Sequence, residues 1–182
     1  MTGTVLLTHS SGPQGPGEGS DPLVRRLREE LGAEYEVLFP KMPGIEDPHY
    51  EPWRDRLAAE LAGVEGRVIV FGHSLGGSVA LKYAAEGGLE DRVAGLVIAG
   101  APYWGQSEWE REWALPGDWA GEETRLPPVV LFHSRDDEVS PFAHLDLYAK
   151  RLTEAEVHPL DGNGHLFDRG DLSEVIAAVR SL

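Results

Sequence analysis

Short apolar runs alternate along this chain with longer stretches in which apolar residues recur every third or fourth position. The runs at residues 4–8, 35–39, 67–71, 93–98 and 129–132 predict strands, and a weaker segment at 156–160 predicts a sixth. Between them lie helical patterns. Ser20 and Asp21 followed by Pro22 mark a helix start, with Leu23, Leu27 and Leu31 on one face and Gly32 as the stop. Pro52 opens a second helix carrying Trp53, Leu57 and Leu61. Leu75, Val79 and Tyr83 line a third, which Gly87 and Gly88 end. Pro141 opens a fourth with Leu145, Tyr148 and Leu152 inward, and Asp171 caps a fifth with Leu172, Val175, Ile176 and Val179 inward. Strands that are apolar throughout must be covered on both faces. The pattern therefore predicts an α/β chain: a three-layer α/β/α sandwich around a six-stranded parallel sheet. No repeat or linker divides it, so one domain over residues 1–182 is expected.

Two segments break the alternation. Residues 11–20 form a loop with four glycines, and residues 101–128 carry Trp104, Trp109, Trp113 and Trp119. Both follow strands, at the carboxyl edge of the sheet where α/β proteins place their ligand sites.

The third strand runs directly into Gly72-His73-Ser74-Leu75-Gly76-Gly77. Gly-x-Ser-x-Gly between a strand and a helix is a nucleophile elbow, a sharp turn that lifts one hydroxyl, here that of Ser74, over the sheet edge. Strain is expected at the serine, and Gly72 and Gly76 let backbone approach where a Cβ would clash. A serine hydroxyl needs a base to take its proton. His9, His49, His73, His133, His144, His158 and His165 compete for that role. His165 is chosen because its glycine-flanked turn follows the last strand, whereas His73 is expected to point into packing. An acid between serine and histidine in chain order should orient the base. Asp136, Asp137 and Glu138 directly follow the fifth strand; Asp137 is preferred, with Asp136 next. The amide of Leu75, at the start of a helix, is the expected first donor to an oxyanion. The second comes from the loop after the first strand, from Ser11 or, failing that, Ser10. That glycine-rich loop lacks both Gly-x-Gly-x-x-Gly and Gly-Lys-Ser/Thr, which argues against phosphate binding.

Charge and composition narrow the classes further. Lys+Arg number 16 against 31 Asp+Glu, a formal charge of −15, so the surface repels nucleic-acid backbones and anionic lipid, and neither is an expected partner. No apolar run approaches membrane-span length and no signal-peptide pattern opens the chain. With no cysteine, thiolate chemistry, disulfides and Cys-based metal sites are excluded, and the cytoplasm is the expected compartment. No histidine spacing suggests a metal, and no cofactor is expected. Oligomeric state is not encoded in any pattern found.

Taken together, His9-Ser10-Ser11-Gly12, Gly72-His73-Ser74-Leu75-Gly76-Gly77, His133-x-x-x-Asp137-x-Val139-x-Pro141 and Gly164-His165 resemble the α/β-hydrolase superfamily over nearly the whole chain. Phe39-Pro40-Lys41-Met42-Pro43, Pro52-Trp53, Ala101-Pro102-Tyr103-Trp104 and Pro141-Phe142-Ala143-His144-Leu145 more narrowly resemble small serine hydrolases of the retinoblastoma-binding-protein-9-like type. The resemblance implies a minimal fold without a cap domain and with strand order 2-1-3-4-5-6. Many relatives have His-Gly where this chain has His9-Ser10. Without a cap, the Trp-rich segment becomes the natural wall of a pocket for a small acyl substrate, with Tyr103 and Trp104 foremost. The implied activity is cleavage of a small ester, thioester or short amide by a Ser74–His165–Asp137 triad through an acyl-enzyme. A cofactor-free lyase would use the same residues. A contrasting expectation is an interaction module that keeps the hydrolase shell and presents its aromatic segment to a partner.

Overall fold

The chain forms strands β1 (Gly3–Thr8), β2 (Tyr35–Leu38), β3 (Val68–His73), β4 (Val93–Ala99), β5 (Val129–Ser134) and β6 (Glu156–Leu160). Its helices are α1 (Asp21–Leu31), α2 (Tyr50–Gly63), α3 (Leu75–Ala85), α4 (Ala143–Arg151) and α5 (Ser173–Ser181). This computed structural model describes residues 3–105, 109–117 and 126–182. The strands pair in parallel in the order β2-β1-β3-β4-β5-β6.

Both faces of the central strands β1, β3, β4 and β5 are dry because their successive residues are mostly apolar and point to opposite sides. The edge strands β2 and β6 keep exposed residues. Leu6, Val68, Val70, Leu96, Ile98 and Leu131 pack with α2, α3 and α4. Val5, Leu7, Ile69, Phe71, Val97, Val130 and Phe132 pack with α1 and α5. No cap domain is inserted; the connection from β4 to β5 runs only from residue 100 to residue 128. Because β1 has β2 on one side and β3 on the other, the chain reverses its direction of winding there. The carboxyl ends of β1 and β3 thus flank a crevice at the topological switch point.

Several element ends differ from the sequence pattern, each for a physical reason. β3 and β5 continue through His73 and through His133 and Ser134, polar residues that read as loop but are buried and hydrogen-bonded. α2 begins at Tyr50 rather than Pro52, since proline is tolerated in a first turn whose amides have no helical acceptor. α4 begins at Ala143 after a turn at Pro141, and β2 ends at Leu38. The Trp-rich segment is not an exposed patch where it is described. Trp113 is buried in the core against Trp53, 6.4 Å between ring centroids, and against Tyr50. Trp104 is half-buried, and its Nε1–H donates to Ser78 Oγ at 2.8 Å. Trp109 opens a short turn of helix, and Trp119 lies outside the described residues.

Candidate active site

Ser74 sits between β3 and α3 at φ 53°, ψ −123°, in the left-handed region that costs a non-glycine residue roughly 1–3 kcal/mol. Its amide donates to Ala99 O at 2.9 Å, and its carbonyl accepts the Gly77 amide, so both sides of the bend are pinned. Close approach explains the elbow glycines. A Cβ on Gly76 would lie 2.1 Å from Thr8 O, and one on Gly72 would lie 2.5 Å from Gly77 Cα. Although Ser74 occupies the N-cap position of α3, its hydroxyl makes no capping bond. Instead it meets His165 Nε2 at 2.9 Å.

His165 arrives on the loop after β6 and is buried, and its Nδ1 lies 2.8 Å from Asp137 Oδ2. Burial pushes the Asp137 carboxyl up, but hydrogen bonds from His133, His165 and the Ser140 amide outweigh it and hold it well below the usual carboxylate range. An ionised Asp137 only accepts, so His165 carries its proton on Nδ1 and offers the Nε2 lone pair to the Ser74 hydroxyl. The other carboxylate oxygen of Asp137 accepts the amides of Val139 (2.9 Å) and Ser140 (2.7 Å). His133 completes this shell. Its Nε2 faces the Ser140 carbonyl at 2.9 Å and Asp137 Oδ2 at 3.1 Å, both acceptors, so it is a donor.

Asp136 has a different task from its neighbour. It accepts the amides of Gly162 and Gly164, both at 3.1 Å, and the Ser134 hydroxyl. The Ser134 and Gly164 hydrogen bonds hold its carboxyl down to about 2. Asp136 thus anchors the turn that presents His165. Arg26 of α1 grips the far side of that turn, donating to the carbonyls of Phe167, Arg169 and Gly170 at 2.8, 2.7 and 2.6 Å.

On the opposite side of Ser74 lies the loop after β1. The Ser10 amide donates to Ser20 Oγ at 2.8 Å, which leaves it no proton for another acceptor. Neither the Ser11 amide nor the Leu75 amide has an acceptor among the described residues. His9 steadies the loop: its Nε2 accepts the Met42 amide at 2.9 Å, so Nδ1–H donates to Ser10 O at 2.5 Å. Tyr103 follows β4, its amide donating to His144 Nδ1 at 3.1 Å and its ring resting edge-on against Tyr148. His49 and His158 lie apart from this cluster, each paired with carboxylates.

The structure thus brings together Ser74, His165 and Asp137, with Leu75 and Ser11 at the adjoining chain turns. Sequence reasoning did not assign roles to Ser20, His73, His133, Asp136 or Arg26 as supports. The only signal for His133 was its spacing of four from Asp137. Ser20 was legible as a helix start alone. Among the described residues no cluster of three or more His, Asp or Glu could hold a metal ion, and no helix is long and apolar enough to cross a membrane.

Comparison with known proteins adds independent findings. The family model described as serine hydrolase matches residues 24–174. No curated protein matches the chain significantly. Among solved structures, the ydeN gene product from B. subtilis superposes with a TM-score of 0.76 at 18% identity, covering 99% of this chain and 98% of that one. Est1E from Butyrivibrio proteoclasticus, in a structure with ferulic acid bound, gives a TM-score of 0.73 at 17% identity, covering 98% and 87%. The 2-hydroxy-6-oxo-6-phenylhexa-2,4-dienoate hydrolase from Rhodococcus sp. strain RHA1 gives 0.71 at 16%, covering 99% and 90%. At these identities the likeness is one of fold.

Proposed function

We propose that this chain, which belongs to the serine hydrolase family, hydrolyses small esters, thioesters or short amides through an acyl-enzyme on Ser74. The observation that carries this is the unbroken chain Ser74 Oγ–His165 Nε2 (2.9 Å) and His165 Nδ1–Asp137 Oδ2 (2.8 Å) at a strained elbow. Ser74 Oγ attacks the carbonyl carbon while its proton passes to His165 Nε2. The carbonyl π electrons move to oxygen, and the amides of Leu75 and Ser11 donate hydrogen bonds to that oxyanion. Collapse expels the alcohol, thiol or amine, which leaves with the proton held by His165. Water then attacks the acyl-enzyme, His165 takes and returns its proton, and the acid departs. Asp137 stays ionised throughout and holds the imidazole in its tautomer.

Tyr103 and Trp104 form one wall of the acyl pocket in this reading. The Trp104 Nε1–H is already committed to Ser78, so the ring offers only apolar surface. The chain acts as one domain of the small, cap-less kind that the retinoblastoma-binding-protein-9-like motifs suggested. An interaction module finds less support, because Trp113 is in the core and Trp104 is tethered inward.

The test is intact-mass spectrometry after incubation with a fluorophosphonate, on wild type, Ser74→Ala and His165→Ala. One adduct that requires Ser74 and slows strongly without His165 is expected. A folded wild type that forms no adduct, or an adduct that survives Ser74→Ala, overturns the reading.

A further inference from the structure

The residue before the nucleophile does more than fill space. His73 is fully buried, and both of its ring nitrogens are engaged by groups from other elements. Its Nε2 lies 2.9 Å from the carbonyl oxygen of His165. A carbonyl only accepts, so Nε2 carries the proton and Nδ1 is an acceptor. That acceptor meets the Ser20 hydroxyl at 2.7 Å.

Ser20 is equally unusual. It occupies the N-cap of α1, where a serine hydroxyl ordinarily accepts an amide of the first helical turn. Here it makes no such bond and is completely buried. Its proton goes to His73 Nδ1, and its lone pairs face the Ser10 amide at 2.8 Å and Ser10 Oγ at 3.2 Å. The chain Ser10 N–H to Ser20 O–H to His73 to His165 C=O is continuous. It joins the loop after β1 to the backbone of His165 through the residue that directly precedes Ser74. Helix capping alone would not draw the hydroxyl inward, and packing alone would not satisfy both imidazole nitrogens.

We propose that Ser20 and His73 are positioning residues that hold the oxyanion loop and the His165 backbone in one hydrogen-bonded frame around Ser74. Engaging the Ser10 amide also sets which amide of the loop stays open, leaving that of Ser11 for the oxyanion. The proposal rests on the acyl-transfer reading above.

The test measures kcat and KM with p-nitrophenyl acetate, together with the rate of fluorophosphonate labelling, for wild type, Ser20→Ala, His73→Gln and the double variant. Misplacement of an oxyanion donor by a fraction of its bond length lowers the chemical step on the order of 10–100-fold. The expected result is a kcat loss of about that size in each single variant, with KM within about twofold, well below each variant's Tm. The double variant should lose little more than either single one, because the two act through one chain. Ser20→Thr, which keeps the hydroxyl, should recover most of kcat. A kcat unchanged within about twofold in folded Ser20→Ala and His73→Gln overturns the proposal while leaving Ser74 as nucleophile. A wild type inert to both probes overturns the acyl-transfer reading and this proposal together. Should the variants not fold, ¹⁵N spectra of the wild-type imidazoles decide. A single Nε2–H tautomer at His73 at pH 7.5 is required, and an Nδ1–H tautomer refutes the chain.

Discussion

The segment that presents His165 is held by charged groups close to that residue, whereas the chain at Ser10 and Ser11 is held by neutral ones. The carboxylates of Glu18 and Asp21 engage the latter loop only farther along, at the Gly15 and Gly17 amides. On the base side, Asp136 gathers two loop amides and Arg26 gathers three loop carbonyls, while Asp137 takes two imidazoles and two amides. On the oxyanion side, Gln14 bridges Ser10 O, Gly12 O and the Ser20 amide, and Ser20 and His73 complete the frame without a formal charge. In the proposed acyl-transfer reading, the difference matches the chemistry each side would support. An imidazolium that forms beside Ser74 is stabilised by fixed negative charge. An oxyanion that forms on the other side needs donors, and a nearby carboxylate would oppose it.

The sharpest way to break this division is Asp137→Asn. It removes the charge and reverses the tautomer preference of His165, so kcat with p-nitrophenyl acetate should fall on the order of 10⁴-fold with the fold intact. Next in size is Asp136→Ala. The turn presenting His165 loses both amide anchors, and kcat should fall on the order of 10–100-fold from misplacement of the base alone. Arg26→Ala tests the far side of the same turn and should cost about 2 kcal/mol in urea unfolding, as expected for hydrogen bonds from a charged donor. Gln14→Ala removes neutral bonds from a half-exposed loop and should cost about 1 kcal/mol by the same measure.

Acid separates the two sides in an order that charge alone would not suggest. Burial, aided by the nearby His165, pushes the His73 imidazole down to about 4 from an ordinary 6.5. Its contribution is present above pH 6.5 and is lost as pH falls toward 4, because the unfolded chain takes up the proton first. Burial lowers His9 and His144 as well, so they add to this window. Asp136, held at about 2 against 3.8, contributes above pH 4 and loses that contribution as pH falls toward 2. The neutral side should therefore weaken first. Tm followed from pH 7 to 3 should fall less steeply above pH 4 in His73→Gln than in wild type, while Asp136→Asn should lie below wild type above pH 4 and converge on it as pH falls toward 2.

How much of this could be read in advance depended on how local each signal was. The strands and the face residues of the helices were legible because apolar periodicity is a short-range pattern. Ser74 stood out through the glycines two residues to either side, and Asp137 and His165 through their places directly after strands. These three side chains do meet. The frame around them was not legible, because it joins residues remote in sequence: Ser20 with His73, His73 with His165, Arg26 with Phe167. Ser20 was misleading in a specific way. Its position promises a helix cap, and only the fold shows that its hydroxyl turns inward. The tryptophans after β4 lie in a stretch without periodicity, and only the fold shows that Trp113 enters the core.

The wide separation of the Ser74–His165 contact, 91 residues along the chain, has a consequence for refolding. Closing so long a loop costs entropy that is repaid only after the intervening strands have paired. Reactivity should therefore be the last property regained from denaturant. Far-UV circular dichroism should recover ahead of fluorophosphonate labelling, which makes the labelling rate a clock for the docking of β6 and α5.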